Sequence, residues 1–373
     1  SFYKDKFTDY NDPLKVIHTS VEGAVSYDAL LFIPSKPPMD FYTNDYTKGL
    51  QLYSRGVFIM DKASDLVPEH FRFVKGLVDS QDLSLNISRE MLQHDRQMKV
   101  IADRIEKKIK SELKTMLDKD RETYETFFEN FGMQLKFGIY NSYGMLKDKL
   151  EDLLLYYSSK EEKMVTLSEY VEKMAEDQKE IYFASGENRN KISTLPQVEL
   201  VKDKGYDILY LTDNVDEFCF QMLRDYKEKP FKNIAQGDLD LDTEEEKQAL
   251  DKQNEENKDL LSDMKNALGD KVVDVKISSR LKSHPVCLVS SEGISMEMEK
   301  VLQAMPESKD VKAGKILEIN PNHPIFTTMQ HVYKEQKDKV EDYASLLYDQ
   351  ALLIEGFSVE NPVEFSNRIC DLM

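Results

Sequence analysis

Arg89 and Gln93, in Ser88-Arg89-Glu90-Met91-Leu92-Gln93, have the types and the spacing to recognise a phosphate group. Residues four apart share one face of a helix, and a guanidinium offers a planar fork of five donors that matches phosphate oxygens two at a time. The preceding segment sets where that fork points. Leu83, Leu85 and Ile87 alternate with Ser84, Asn86 and Ser88, the period of a half-buried extended strand, and the Ser88 hydroxyl can cap a helix that begins there. Glu90 in the first turn suits the positive end of the helix dipole. An ordinary surface or ion-pairing arginine fits the same local pattern, so the residues alone leave both readings open.

Other chemistries find little support. No Gly-x-Gly pair occurs, and Gly314-Lys315 is followed by Ile316, so neither a dinucleotide fingerprint nor a Walker loop is present and the chain is not expected to hold ATP by itself. His18, His70, His94, His284, His323 and His331 show no metal-ligand spacing, and no metal is expected. Cys219, Cys287 and Cys370 are far apart and odd in number, which predicts reduced thiols. There is no Gly-x-Ser-x-Gly elbow, and carboxylates are too abundant to single out an acid/base couple.

Two apolar helical stretches could carry binding. Ile294, Met298, Val301 and Met305 recur at i, i+4, i+7 and i+11, with Leu302 beside them, in one stripe. Such a stripe is core by default, yet methionine is also the adaptable residue of promiscuous binding surfaces. Nearer the C-terminus, Val340, Tyr343, Ala344, Leu347, Ala351 and Ile354 form one stripe while Leu346, Leu352 and Leu353 add a second apolar side. Two faces need two partners: the domain's own sheet and a second copy about a two-fold axis, with Phe365 and Ile369 contributing from the final helix.

The elements that must position these residues follow from pattern. Residues 24–33, 50–60 and 71–79 read as strands, and Ile101, Ile105, Ile109, Leu113 and Met116 or Leu117 mark the long helix that covers them. Tyr124 to Met174 reads as helical throughout, with Thr166-x-x-Glu169 as a capping box. Ile181–Ala184, Ile208–Leu211 and Phe231–Ala235 read as short strands with a helix over Val215–Tyr226; Val272–Ile277, Pro285–Ser290 and Lys315–Ile319 follow as strands. The expected fold class is α/β and α+β multidomain. A large α/β unit covers 1–125, a helical connector 126–179, a small α/β unit with an acidic hinge 180–251, and an α+β C-terminal domain 252–373. No repeat is evident at a period of 20 to 50 residues.

Composition narrows the partners. A formal charge of −19 over 373 residues disfavours nucleic acid, whose backbone needs Lys and Arg to neutralise it. Asp238 to Leu260 alone carries ten acidic and three basic residues, read as a solvated helix and hinge. No apolar run approaches 18 residues and no signal-type segment opens the chain, so neither membrane insertion nor export is expected and a cytoplasmic location is.

The stretch around Arg89 resembles the catalytic-loop motif in the middle domain of the ninety-kilodalton heat-shock chaperones. Other stretches agree in order, among them Asp12-Pro13-Leu14, Ala29-Leu30-Leu31-Phe32-Ile33-Pro34, Phe73-Val74-Lys75-Gly76-Leu77-Val78-Asp79-Ser80, Ile181-Tyr182-Phe183-Ala184-Ser185-Gly186 and Tyr348-Asp349-Gln350-Ala351-Leu352-Leu353. The ending at Asp371-Leu372-Met373 lacks an acidic recruitment tail, which is similar to the bacterial form.

The resemblance implies a middle-plus-C-terminal fragment of an ATP-dependent chaperone, with ATP and Mg held by an N-terminal ATPase domain outside this chain. It implies that Arg89, aided by Gln93, reaches the γ-phosphate there. Phe58, in Arg55-Gly56-Val57-Phe58, would contact that domain. The Ile294–Met305 helix would be an exposed binding element for non-native client proteins, centred on Met298. The last helices, with Tyr343, Leu346, Leu347, Leu353, Ile354, Phe365 and Ile369, would join two copies. Two alternatives are a DNA-acting ATPase of the same superfamily, in which a lysine replaces the arginine, and a dimeric scaffold without nucleotide coupling.

Overall fold

The computed structural model describes residues 2–83 and 96–372; Arg89 and Gln93 lie outside them. The chain divides into two compact units, Ser1–Leu155 and Tyr156–Met373.

The first unit opens with a short helix α1 (Phe2–Phe7) and is built on a five-stranded sheet. Its strands are β1 (Lys15–Val21), β2 (Tyr27–Ile33), β3 (Leu50–Ser54), β4 (Val57–Ala63) and β5 (Lys75–Ser80), in the order β1-β2-β5-β3-β4. The expected single strand over 50–60 is instead the hairpin β3–β4. Ser54 pairs with Val57, and both residues between them have positive φ, Arg55 at 52° and Gly56 at 77°. That is the geometry of a type I′ turn, whose twist matches the flanking strands; glycine takes it without strain, and an arginine before it hides the turn from inspection.

Helix α2 (Arg96–Lys119) covers the sheet, and Ile101, Ile105, Ile109, Leu113, Met116 and Leu117 are all buried, as their spacing requires. Glu106 on this helix pairs with His70 (3.0 Å) and Lys149 (2.9 Å), and these partners, His70 foremost, hold its carboxyl down at about 2. Helix α3 (Arg121–Asn141) adds Phe127 and Phe131, which meet Phe73 and Phe41 at ring separations of 5.2 and 5.6 Å. An aromatic core thus lies under α3 in this unit, and α2 begins at Arg96.

The second unit begins with a correction. The stretch expected to be helical through Met174 holds two strands, β6 (Leu155–Ser158) and β7 (Lys163–Thr166), ahead of α4 (Leu167–Glu172). Leu153 to Tyr157 is a short, continuous apolar run, and periodicity cannot tell a buried strand of that kind from a helix. The capping box between Thr166 and Glu169 is present and opens α4. With β8 (Ile181–Ser185), β9 (Leu209–Leu211), β10 (Asp225–Tyr226) and β11 (Lys229–Asn233), these strands make a six-stranded sheet in the order β10-β11-β8-β9-β6-β7. Helices α5 (Val198–Asp203) and α6 (Asp216–Leu223) belong to this layer.

Next comes α7 (Glu244–Glu256), opened by a capping box between Thr243 and Glu246 and burying none of its residues. The acidic stretch is thus a solvated helix. Its successor α8 (Lys258–Leu268) buries Leu260, Leu261, Met264 and Leu268. These pack on a three-stranded sheet of β12 (Asp274–Ile277), β13 (Val286–Ser290) and β14 (Lys315–Ile319), with β14 central. Four further helices complete the unit: α9 (Met296–Gln303), α10 (Pro324–Glu335), α11 (Val340–Ile354) and α12 (Pro362–Leu372).

Candidate functional site

Although Arg89 itself is outside the described residues, the chain leading to it is held firmly. The Ser54 hydroxyl donates to the Leu83 carbonyl (2.7 Å), the Asp82 carboxylate accepts from the Ser26 amide (2.6 Å), and Arg55 Nε donates to the Gln81 carbonyl (3.1 Å). The Asp79 carboxylate accepts from the Gly56 amide at 2.9 Å. The β3–β4 turn and the segment after β5 are therefore locked together, and Arg55 spends a donor on that lock. Phe58 is exposed, its ring edge-on to Tyr53 at 5.5 Å, so the hairpin presents an aromatic face outward.

The stripe expected to be exposed around Met298 is packed inward over most of its length. Met298 is only 5% exposed and Met296 is buried, while Ile294, Val301 and Leu302 are half-buried and Met305 alone is open, at 48%. The reason lies at both ends of α9. Ser295 caps the helix by accepting from the Met298 amide, and its hydroxyl donates to the buried Glu217 carboxylate on α6. Gln221, one turn along α6, donates to Met298 Sδ (3.3 Å). Burial pushes the Glu217 carboxyl up to about 7, against the pull of its hydrogen bonds. Glu299, also buried, pairs with Lys315 of β14 (2.5 Å) and accepts from the Ala313 amide (2.9 Å). That pairing turns the one Gly-Lys lysine into the core, where it cannot meet a phosphate.

The C-terminal helices divide as two faces. Val340, Ala344, Leu347 and Ala351 belong to the core formed with α8 and the sheet. Leu347, expected at an interface between copies, is 3% exposed and faces its own domain; Tyr343 is half-buried against the same core. On the other side, Leu353 is 47% and Ile354 40% exposed, with Leu346 half-buried. On α12, Val363 is exposed and Phe365 and Ile369 are half-buried.

Several buried polar residues escaped the sequence reading. Arg280 donates to Glu318 (2.9 Å), to the Ile234 carbonyl (2.7 Å) and to the Gly237 carbonyl, so one guanidinium joins the end of β11 to β14. Gln197, before α5, donates to the Leu288 carbonyl of β13 (2.6 Å) and to Glu355 (2.5 Å). Pairs 38 to 158 residues apart leave no mark in local spacing; an acid beside aromatics, as Glu217 is in Asp216-Glu217-Phe218-Cys219-Phe220, is the nearest thing to a signal. No group of three His, Cys, Asp or Glu among the described residues is placed to hold a metal ion, and no helix among them is long and apolar enough to cross a membrane.

A family model described as Hsp90 protein matches residues 1–373. The chain is 57% identical over 372 residues to the chaperone protein HtpG of Bacillus subtilis, covering all of this chain and 59% of that protein. It is 56% identical over 373 residues to HtpG of Clostridium perfringens and 57% identical over 373 residues to HtpG of Clostridium acetobutylicum, covering 59% and 60% of those proteins. The chain spans about three-fifths of the length of these curated relatives.

Proposed function

The chain belongs to the Hsp90 family, and from that premise we propose that it is the middle and C-terminal part of an ATP-driven chaperone acting on non-native proteins in the cytoplasm. The observation that carries the reading is the match of all 373 residues to chaperones at 55–57% identity. Two domains of the middle part, up to about residue 251, pass the nucleotide signal on, and the part from about 252 joins two copies.

Nucleotide binding, on this reading, falls in the portion of the relatives that the chain does not span. The lysine of Gly314-Lys315 is paired with Glu299, which supports this reading. Arg89 supplies a guanidinium to the γ-phosphate of ATP held elsewhere, with Gln93 assisting; ATP and its Mg supply the energy of the cycle. In GTPases such an arginine is worth roughly 10³ to 10⁵ in rate. Phe58 and its exposed strand are the surface offered to the nucleotide-binding domain.

The outer side of α11 and α12, with Leu346, Leu353, Ile354, Phe365 and Ile369, covers the same side of a second copy. Client contact by α9 needs that helix to open, because Met296 and Met298 are packed while Met305 is not.

The test compares the 373-residue chain with a longer form that includes the nucleotide-binding domain. The short chain is expected to be dimeric and without ATP turnover; the long form turns ATP over, and Arg89→Ala reduces this strongly. Turnover by the short chain, purified free of other ATPases, or an unchanged rate in Arg89→Ala, would overturn the division of labour.

A further inference from the structure

Helix α9 is eight residues long, too short to persist on propensity, so its place is set by the groups that hold it. Of its residues only Met296, Met298 and Glu299 are buried. Its C-terminal half is tied to the segment before β14, through the Ala313 amide to Glu299 and Gln303 to the Val311 carbonyl, and to one turn. Helix α11 ends with Gly356 in the left-handed region (φ 81°), and the Gly356 and Phe357 amides donate back to the Leu353 and Leu352 carbonyls, the closing pattern of a Schellman motif. This throws the Phe357 ring back toward α9 and β14. There it meets two ammonium groups, Lys300 of α9 at 5.0 Å and Lys315 of β14 at 4.9 Å from the ring centre. Lys300 also donates to the Glu355 carbonyl (2.5 Å) and to Glu297 (2.9 Å), while Lys315 is paired with Glu299 of α9. The Glu355 side chain is buried and tied to Gln197.

We propose that the turn Glu355-Gly356-Phe357 is an intramolecular lock on α9, and that its release frees the helix and uncovers Met296 and Met298 as apolar binding surface. The second half of this rests on the reading of α9 as a client element. A ring held between two cations is a directional contact, lost as soon as the ring swings away. Both cations are in turn joined to α9, one by the chain and the other through Glu299. Withdrawing Phe357 therefore removes the contact that Lys300 and Lys315 share and weakens the C-terminal hold on α9, while leaving the apolar core between α8 and the sheet in place. Segments with few buried apolar contacts open at the low end of a protein's stability range, and α9 is such a segment.

The test uses the full chain with Phe357→Ala, and Phe357→Leu and Lys300→Met as milder variants. Backbone hydrogen exchange at Glu299–Gln303 and peroxide oxidation of Met298 are followed by mass spectrometry, with Met305, already open, as internal reference. The lock predicts that both rates rise by about tenfold or more in the variants, with β13 amides and Met305 unchanged. Unchanged α9 rates overturn it. If Phe357→Ala loosens the whole domain, the two milder variants decide: selective release of α9 supports the lock, and uniform or absent change overturns it. Suppression of client aggregation is measured alongside; α9 freed with no gain in suppression leaves the lock standing and removes the client reading of that helix.

Discussion

Helix α9 and the pair α11–α12 carry similar apolar stripes, and they end in different situations. The stripe of α9 finds its partners within the chain: Met298 meets Gln221 and the surroundings of Glu217, and Met296 joins the core of the sheet. The stripe of α11 does so too, through Val340, Ala344, Leu347 and Ala351, yet Leu353 and Ile354 remain open on its other side. The stripe of α9 is covered within the chain except at Met305. A helix apolar on two sides keeps an exposed apolar face after its own domain has folded, and that surplus, not the presence of a stripe, is what the proposed contact between copies rests on.

The largest expected effect breaks this comparison at its inner face. Leu347→Asp places a charge in the core and should cost about 3 to 5 kcal/mol or more, seen as a downward shift or loss of the urea transition of the unit from Tyr156 onward. A folded monomer of normal stability would instead put Leu347 at an interface.

Next comes the hold on the N-terminus of α9. The Glu217 carboxyl titrates at about 7 in the fold against 4.5 ordinarily, because burial disfavours its charge. Below 4.5 the group is protonated in both states and contributes nothing. Between 4.5 and 7 the unfolded chain gives up the proton while the folded chain keeps it, so stability falls with rising pH and levels off above 7, by up to roughly 3 kcal/mol. Glu217→Gln should therefore gain on wild type from pH 5 to pH 8 in thermal midpoint; a constant difference would mean that Glu217 is ionised throughout.

Met298→Ala sharpens the contrast within one helix. It should cost about 2 kcal/mol, against less than about 0.5 for Met305→Ala, in chemical denaturation. Equal small costs would show that α9 is already open in solution.

The smallest effect on stability has the clearest effect on assembly. Leu353→Asp on the outer face should change folding by less than about 0.5 kcal/mol and shift the mass in sedimentation from dimer to monomer. If mass is unaffected, copies meet elsewhere.

Where local pattern carries the information, residues anticipate the structure well. The isoleucine ladder of α2, the Thr166–Glu169 box and the strands β8, β9 and β11 to β14 all follow from spacing and bounding residues. Strand β1 is not legible from pattern, since Lys-Val-Ile-His-Thr-Ser-Val turns Val16 outward and keeps only Ile17 fully buried. The β3–β4 turn was hidden by a non-glycine at positive φ. Resemblance points Met298 outward, whereas the default for a stripe, burial, is what Met298 adopts. For Arg89 and Gln93, proposed to face a nucleotide, the motif alone carries the assignment, and the described residues supply only the anchored segment that ends at Leu83.

Arg280 has one more implication. Its donors are divided between the carbonyls of Ile234 and Gly237 after one sheet and the carboxylate of Glu318 within another. Melting the layer that ends at Ile234 would take two acceptors from the buried guanidinium, and melting the other would leave the Ile234 and Gly237 carbonyls without their donor, so neither layer has a cheap partially unfolded form. From Tyr156 onward the polypeptide should consequently lose its structure in a single calorimetric event, with both sheets belonging to one foldon despite being built on separate cores.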